Sequence, residues 1–311
     1  MRAVIIEEFG TGDQFKMVEM ETPQIRNDEV LIQVRATSVN AVDWMMRAGY
    51  LKDAMHLPLP LIVGLDFAGI VKKVGDSVRE FNVGDEVFSR KEMGRPGTLA
   101  EYVVLPASKL ARKPAEITFE EASAIPTTGL TALQALTTQA KVMAGEKVLI
   151  LGGAGGVGSF AIQLAKHLGA EVTTTTSGKN EEFVRTLGAD HIINYENEDF
   201  SKGEREFDVV LDTVGGENTD KAYGVVKEGG RLVTIAGKAD QEKAKANNIQ
   251  VIYFTSTTEA DQLEKIAALA VEGKVRIMVT EILPFTNQGI REAHSISESG
   301  HARGKIVISI R

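Results

Sequence analysis

Lys147-Val148-Leu149-Ile150-Leu151-Gly152-Gly153-Ala154-Gly155-Gly156-Val157-Gly158-Ser159-Phe160-Ala161-Ile162-Gln163-Leu164-Ala165-Lys166 decides the architecture. It opens as an apolar run of the kind buried on both faces of a parallel sheet. A glycine cluster follows, with Gly153, Gly155 and Gly158 in the pattern G-x-G-x-x-G. Next comes an amphipathic helix whose apolar face holds Val157, Ala161, Leu164, Ala165 and Leu168. In such a turn the first glycine makes the bend tight, the second lets a pyrophosphate approach, and the third lets helix pack on strand. The helix N-terminus, starting at Gly156 and Val157, turns free N–H groups toward phosphate. The pattern also occurs as a merely tight turn, but here its strand-turn-helix context is complete. The stretch is read as a dinucleotide site.

Working outward, the strands fall at 147–151, 171–176, 191–194, 207–212, 231–236 and 250–254, with helices at about 156–168, 179–187 and 218–226. Helices crossing between buried strands predict a doubly wound, six-stranded parallel sheet of Rossmann type, an α/β fold. The first 120 residues differ. Short strand-like segments (Ala3–Glu7, Phe15–Met20, Glu29–Val39, Asp66–Val74, Glu86–Phe88, Leu99–Leu105) are separated by Gly- and Asp-rich turns, which predicts a β-rich barrel-like or sandwich body. The tail holds Thr280–Leu283, a helix Asn287–Glu298 and the strand Lys305–Ser309. It is too small to stand alone, so it is expected to rejoin the β-rich part. The division is residues 1–122 with 273–311, and 123–272, with a ligand cleft expected between the two bodies.

The 311 residues are 43% apolar and 25% charged, as in a globular protein. A net charge of −8 argues against a nucleic-acid surface. No apolar run approaches the roughly 20 residues of a membrane helix, and no secretory leader is apparent. Cysteine is absent, which excludes disulfides and thiolate metal ligands. A cytoplasmic location, with neither nucleic acid nor membrane as partner, is the expectation.

The second strand of the parallel set ends Thr175-Thr176-Ser177-Gly178-Lys179. An NAD site carries an acid there to hold the ribose 2′-hydroxyl; this strand ends in hydroxyls and an ammonium. A bond from Lys179 to a 2′-phosphate would contribute on the order of 1.5–3 kcal/mol. Ser177 could equally cap the next helix while Lys179 is solvated. The expected cofactor is NADPH, held by Gly153, Gly155, Gly156, Val157, Gly158, Thr176, Ser177 and Lys179. In the β-rich part, Asn40, Asp43, Tyr50 and Asp66 are polar residues in apolar surroundings. Asn40 and Asp43 also suit a helix start, and Asp66 a buried structural carboxylate.

Val39-Asn40-Ala41-Val42-Asp43, Gly64-Leu65-Asp66-Phe67-Ala68-Gly69, Val83-Gly84-Asp85-Glu86-Val87, Pro126-Thr127-Thr128-Gly129-Leu130-Thr131-Ala132, Gly152–Gly158, Leu187-Gly188-Ala189-Asp190 and Gly304-Lys305-Ile306-Val307 stand in order along the chain. On these motifs it resembles the medium-chain dehydrogenase/reductase superfamily, in the zinc-free quinone oxidoreductase (zeta-crystallin) branch near the alkenal/enone oxidoreductases. The resemblance implies a GroES-like catalytic domain interrupted by the cofactor domain. It implies that Tyr195 and Lys179 lie near the 2′-phosphate, and that Thr127, Thr131, Ala236, Gly237, Phe254 and Thr255 lie near the nicotinamide. Asn40, Asp43 and Tyr50 match positions lining the acceptor pocket, and Asn40 is also expected within reach of the cofactor. Zinc enzymes of the superfamily carry a cysteine near Asp43, Gly-His-Glu at the positions of Gly64-Leu65-Asp66, and a four-cysteine lobe; none is present. No metal site is therefore expected.

The chemistry implied is hydride transfer from NADPH to a quinone or an α,β-unsaturated carbonyl, a small electrophilic acceptor. Asn40, Asp43 and Tyr50 are the catalytic candidates: Asn40 as a donor to the carbonyl oxygen, Tyr50 as a proton source. The alternative is a non-catalytic NADPH-binding sensor or structural protein. The strand Val251-Ile252-Tyr253-Phe254 is expected at a sheet edge, paired across a twofold axis in a homodimer.

Overall fold

The computed structural model describes residues 1–92, 94–237 and 239–310. Among these, the strands are, in chain order, β1 (Arg2–Ile6), β2 (Lys16–Glu19), β3 (Glu29–Val39), β4 (Leu61–Ile62), β5 (Asp66–Val74), β6 (Glu86–Arg90), β7 (Tyr102–Pro106) and β8 (Ala111–Arg112). The middle of the chain supplies β9 (Lys147–Leu151), β10 (Glu171–Thr176), β11 (His191–Asn194), β12 (Phe207–Asp212), β13 (Val226–Thr234) and β14 (Gln250–Tyr253). The tail adds β15 (Val279–Pro284) and β16 (Lys305–Ser309). They form a GroES-like β-rich body and a six-stranded all-parallel Rossmann sheet, the α/β fold class expected from the sequence.

The backbone contacts divide the described residues into two units: Met1–Thr128 with Thr258–Glu272 and Ile277–Arg311, and Gly129–Thr257 with Gly273–Arg276. Helix Ala260–Val271 thus groups with the first unit, where its Glu264 carboxylate faces the Arg112 N–H. The tail strand β16 runs antiparallel to β3, with Ile306 opposite Val39 and Ile308 opposite Thr37, and β15 lies parallel to β16. β3 is the long central strand: β5 runs along one edge, and the other is divided between β7, opposite Glu29–Gln33, and β16, opposite Ala36–Val39. Val30, Ile32, Val34, Phe67, Val71, Leu105, Ile306 and Ile308 pack into this unit's core.

In the second unit the strand order is β11-β10-β9-β12-β13-β14, every neighbour parallel. The reversal of winding falls between β9 and β12, and the carboxyl ends of all six strands lie along one edge. β10 is rich in threonine yet buried. Its hydroxyls make this tolerable, since Thr174 Oγ1 donates to the Ile150 carbonyl at 2.8 Å and Thr175 Oγ1 accepts from the Gly152 N–H at 3.0 Å. β13 starts earlier than the apolar pattern indicates, at Val226, so the preceding helix is only Glu217–Ala222. A short helix Gln241–Ala246, capped by the Asp240 carboxylate on the N–H groups of Glu242 and Lys243, carries too little apolar periodicity to be read from sequence.

Arg231 on β13 grips Glu146 with both guanidinium arms at 2.8 Å and donates through Nε to the Ala140 carbonyl at 2.9 Å. The pair is mostly shielded from water, so it ranks above an ordinary surface ion pair. Arg231→Lys keeps the charge and loses the fork. It is expected to destabilise the fold by about 1–2 kcal/mol, checked by urea denaturation against the wild type.

Candidate active site

The carboxyl edge of the parallel sheet gathers most of the expected cofactor residues. After β9 the chain turns at Gly152, whose φ of +78° is left-handed and suits glycine. The tight bend thus belongs to Gly152, one residue before the first glycine of the motif. A Cβ at Gly153 would overlap the Thr174 hydroxyl, and one at Gly158 would strike the Gly152 carbonyl and Gly153 Cα. At Gly155 a Cβ would meet only the Gly152 carbonyl, at 3.4 Å, so this side of the turn is open. No side chain caps the helix Gly156–His167 that follows, which leaves the first-turn N–H groups, at Gly156, Val157 and Gly158, for a ligand. At the tip of β10, Thr176 Oγ1 is buried with no partner among the described residues. An open glycine turn, an uncapped helix start and an orphaned hydroxyl fit a dinucleotide diphosphate and its ribose.

Beyond β10, Ser177 accepts a bond from Asn180 Nδ2 at 3.2 Å, and Lys179 is exposed and has no ion pair among the described residues. Tyr195, 53% exposed, is held by its N–H to the Thr176 carbonyl at 3.1 Å. Glu196 was not foreseen: its carboxylate accepts the Gly178 N–H at 2.9 Å and so brings an acid to the tip of a strand that carries none itself. Ala236 and Gly237 follow β13, and Phe254 and Thr255 follow β14, at the same edge. Thr131 shares a hydroxyl–hydroxyl bond of 2.9 Å with Ser256.

The first unit contains a different constellation. Asp66 opens β5 and is fully buried. Its Oδ1 accepts from the Thr127 N–H (3.1 Å) and hydroxyl (2.6 Å), and its Oδ2 from Asn40 Nδ2 (2.9 Å) and the Ser38 hydroxyl (3.2 Å). Lys305, at the start of β16 and 2% exposed, lies 3.9 Å from Asp66 Oδ2 and donates to Asn40 Oδ1 and to the Val39 carbonyl at 3.2 Å. Asn40 precedes the helix Ala41–Ala48, yet its side chain is given to Lys305 and Asp66. Asp43 serves the helix start instead, with its Oδ2 accepting the Asn40 N–H at 2.7 Å; its Oδ1 is buried without a partner among the described residues. Burial pushes the Asp43 carboxyl up to about 7, the Asn40 N–H pulls it back, the Asp66 charge raises it, and Lys305 and Lys91 lower it. Burial likewise lowers Lys305, against the pull of Asp66 and Asp43.

The structure therefore joins Asn40 and Thr127 through Asp66, the carboxylate that spacing left undecided, and ties Asp43 in through the Asn40 N–H. Tyr50 is separate: it is 75% exposed and packs edge-on against Trp44, ring centroids 5.9 Å apart. Lys305 belongs to the Gly304-Lys305-Ile306-Val307 motif, which by itself assigns it no role. Its signal was a lysine opening an otherwise apolar strand, a position where a cation must find partners.

The chain matches the family description "Alcohol dehydrogenase GroES-like domain" over residues 26–115 and "Zinc-binding dehydrogenase" over residues 187–308. It is 38% identical to the NADPH-dependent alkenal/one oxidoreductase of Arabidopsis thaliana chloroplasts, over 99% of this chain and 79% of that protein. The quinone oxidoreductase of Coxiella burnetii superposes with a TM-score of 0.94 at 36% identity, covering 100% of this chain and 99% of that one. The mycobacterial protein Rv1454c, solved with NADPH, superposes with a TM-score of 0.89 at 26% identity, each chain covered in full. Despite the wording of the second description, the donor set does not fit zinc. Asp66 has both oxygens committed to hydrogen bonds, an ammonium stands beside it, and among the described residues no cluster of His, Cys, Asp and Glu could hold a metal. No helix among the described residues is long and apolar enough to cross a membrane.

The Asp43 carboxyl, near 7 in the fold against 3.8 as its ordinary value, binds its proton more tightly folded than unfolded. Its contribution to stability is thus complete below about pH 4 and is lost as pH rises through about 7. Asp43→Asn keeps an oxygen for the Asn40 N–H and cannot ionise. The variant is expected to gain on the wild type as pH rises from about 5 to about 8, read as the difference in urea midpoints. A difference that is constant over that range would show that Asp43 does not titrate there.

Proposed function

The chain belongs to the medium-chain dehydrogenase/reductase superfamily, in its NAD(P)H-dependent quinone oxidoreductase branch, and on that footing we propose that it transfers hydride from NADPH to an α,β-unsaturated carbonyl or a quinone. The observation that carries this reading is Asn40. Its Nδ2 gives one hydrogen to Asp66, and no acceptor for the other is found among the described residues. When bound, NADPH supplies the hydride. Hydride arriving at the far carbon of a conjugated carbonyl drives charge onto the oxygen, and a fixed N–H is what that oxygen requires. Asp43 contributes by holding the Asn40 main chain, and Thr127 by sharing Asp66. Tyr50, exposed as it is, has the chemistry of a proton source alongside water.

The carboxyl edge of the parallel sheet is the proposed cofactor site, with Gly153, Gly155 and Gly158 at the pyrophosphate and Lys179 and Tyr195 at the 2′-phosphate. Support for NADPH over NADH comes from Lys179, which has no ion pair among the described residues, and from the cofactor named for the Arabidopsis thaliana relative. The Glu196 carboxylate opposes it, as a negative charge near the same place.

The activity is tested by following NADPH and NADH consumption against a simple enone and an ortho-quinone, with products identified by mass. A saturated ketone from the enone is expected; absence of turnover with both acceptors sinks the proposal. Lys179→Ala is expected to weaken NADPH binding roughly tenfold to hundredfold and leave NADH unchanged, measured by nicotinamide fluorescence. Equal losses for both cofactors would remove Lys179 from the phosphate.

A further inference from the structure

We propose that Lys305 is a positioning residue for Asn40, fixing which end of its carboxamide points toward the reacting oxygen. The inference deepens the reading above and rests on it for its catalytic consequence. A carboxamide is nearly symmetric in shape, so its orientation is set by its partners. Here the partners have opposite and unambiguous chemistry. The Lys305 ammonium can only donate, and it faces Asn40 Oδ1. The Asp66 carboxylate accepts, and it faces Asn40 Nδ2 at 2.9 Å. Rotating the amide by half a turn would set N–H against ammonium and oxygen against carboxylate, losing two charge-assisted bonds at once.

The backbone makes the arrangement possible. Ile306 is paired with Val39, so the residue that opens β16 lies beside the end of β3, where Asn40 follows. Lys305 is anchored there by the Val39 carbonyl at 3.2 Å and by Asp66 at 3.9 Å. A buried ammonium is costly unless fully paired, and each of its named partners adjoins or belongs to the Asn40–Asp66 pair. A role confined to neutralising Asp66 would not require contact with Asn40. The Asn40 contact is therefore what distinguishes positioning from charge balance. The oriented amide keeps an N–H, and not a lone pair, available for the acceptor.

The test is a cycle of Lys305→Met, Asn40→Ala and the double variant. Lys305→Met is expected to lower kcat and kcat/KM together, roughly tenfold to hundredfold, with NADPH affinity unchanged. The double variant should be no worse than Asn40→Ala alone, because Lys305 acts through Asn40. Losses that multiply in the double variant overturn the proposal. A second readout does not depend on turnover. The side-chain NH2 pair of Asn40, identified in the 15N–1H spectrum by its loss in Asn40→Ala, should shift in Lys305→Met; an unmoved pair overturns the proposal. If wild type reduces neither enone nor quinone, the functional reading fails while this spectrum still decides the role of Lys305. Lys305→Gln replaces the Met variant in both arms if the latter does not fold.

Discussion

Asp66 is the constraint around which the β-rich unit is built. A carboxylate with no access to water must have its charge answered by donors, or it costs several kcal/mol. β5 begins at this residue, and the donors come from the end of β3 (Ser38, Asn40) and from Thr127 near the start of the helix Pro126–Gln134, with the Lys305 ammonium close by. Segments far apart in the chain thus have to arrive together for the charge to be tolerable. The tail strand has a reason to return to β3 beyond apolar packing: it delivers the cation.

The parallel sheet is organised by a different constraint, the lack of room at one turn. Gly152 bends the chain, Gly153 lies against β10, and Gly158 lies against the turn itself. A side chain at Gly153 or Gly158 would push helix Gly156–His167 off the strand and misdirect its N–H groups. The threonines of β10 belong to the same economy of space: the Thr174 and Thr175 hydroxyls bond locally, while that of Thr176, without a partner among the described residues, stands at the open end. Close packing and the capacity to take a polar ligand arise from one set of residues.

Much of this was legible in the sequence. Buried parallel strands declare themselves as apolar runs between helices, and the reading of 147–151, 171–176, 191–194 and 207–212 agrees with β9 to β12. Asn40 and Asp43 stood out because polar residues interrupt an apolar context. What local pattern could not supply was pairing at a distance. Asn40 is the helix N-cap, as its spacing suggests, but its side chain also bonds Lys305, which is 265 residues away along the chain. Glu196 is hidden from the sequence for the same reason: the residues of β10 carry no acid at its tip, and the loop after the neighbouring strand supplies one.

The lysine beside Asp66 bears on which acceptors the proposed reaction suits. A bound cation of the Lewis-acid kind draws charge onto itself and so activates even an unconjugated carbonyl. An ammonium that is buried, already bonded to Asn40 and Val39, and flanked by carboxylates cannot migrate to the substrate oxygen. On the proposed reading its main contribution to the acceptor is the direction it gives a neutral amide. A single neutral hydrogen bond is worth far less to a developing oxyanion than a metal. On the proposed reading, acceptors delocalise the incoming charge themselves, as conjugated carbonyls and quinones do through their own π-systems. On the proposed reading, the electrophilicity that a metal would provide has moved from the protein to the substrate.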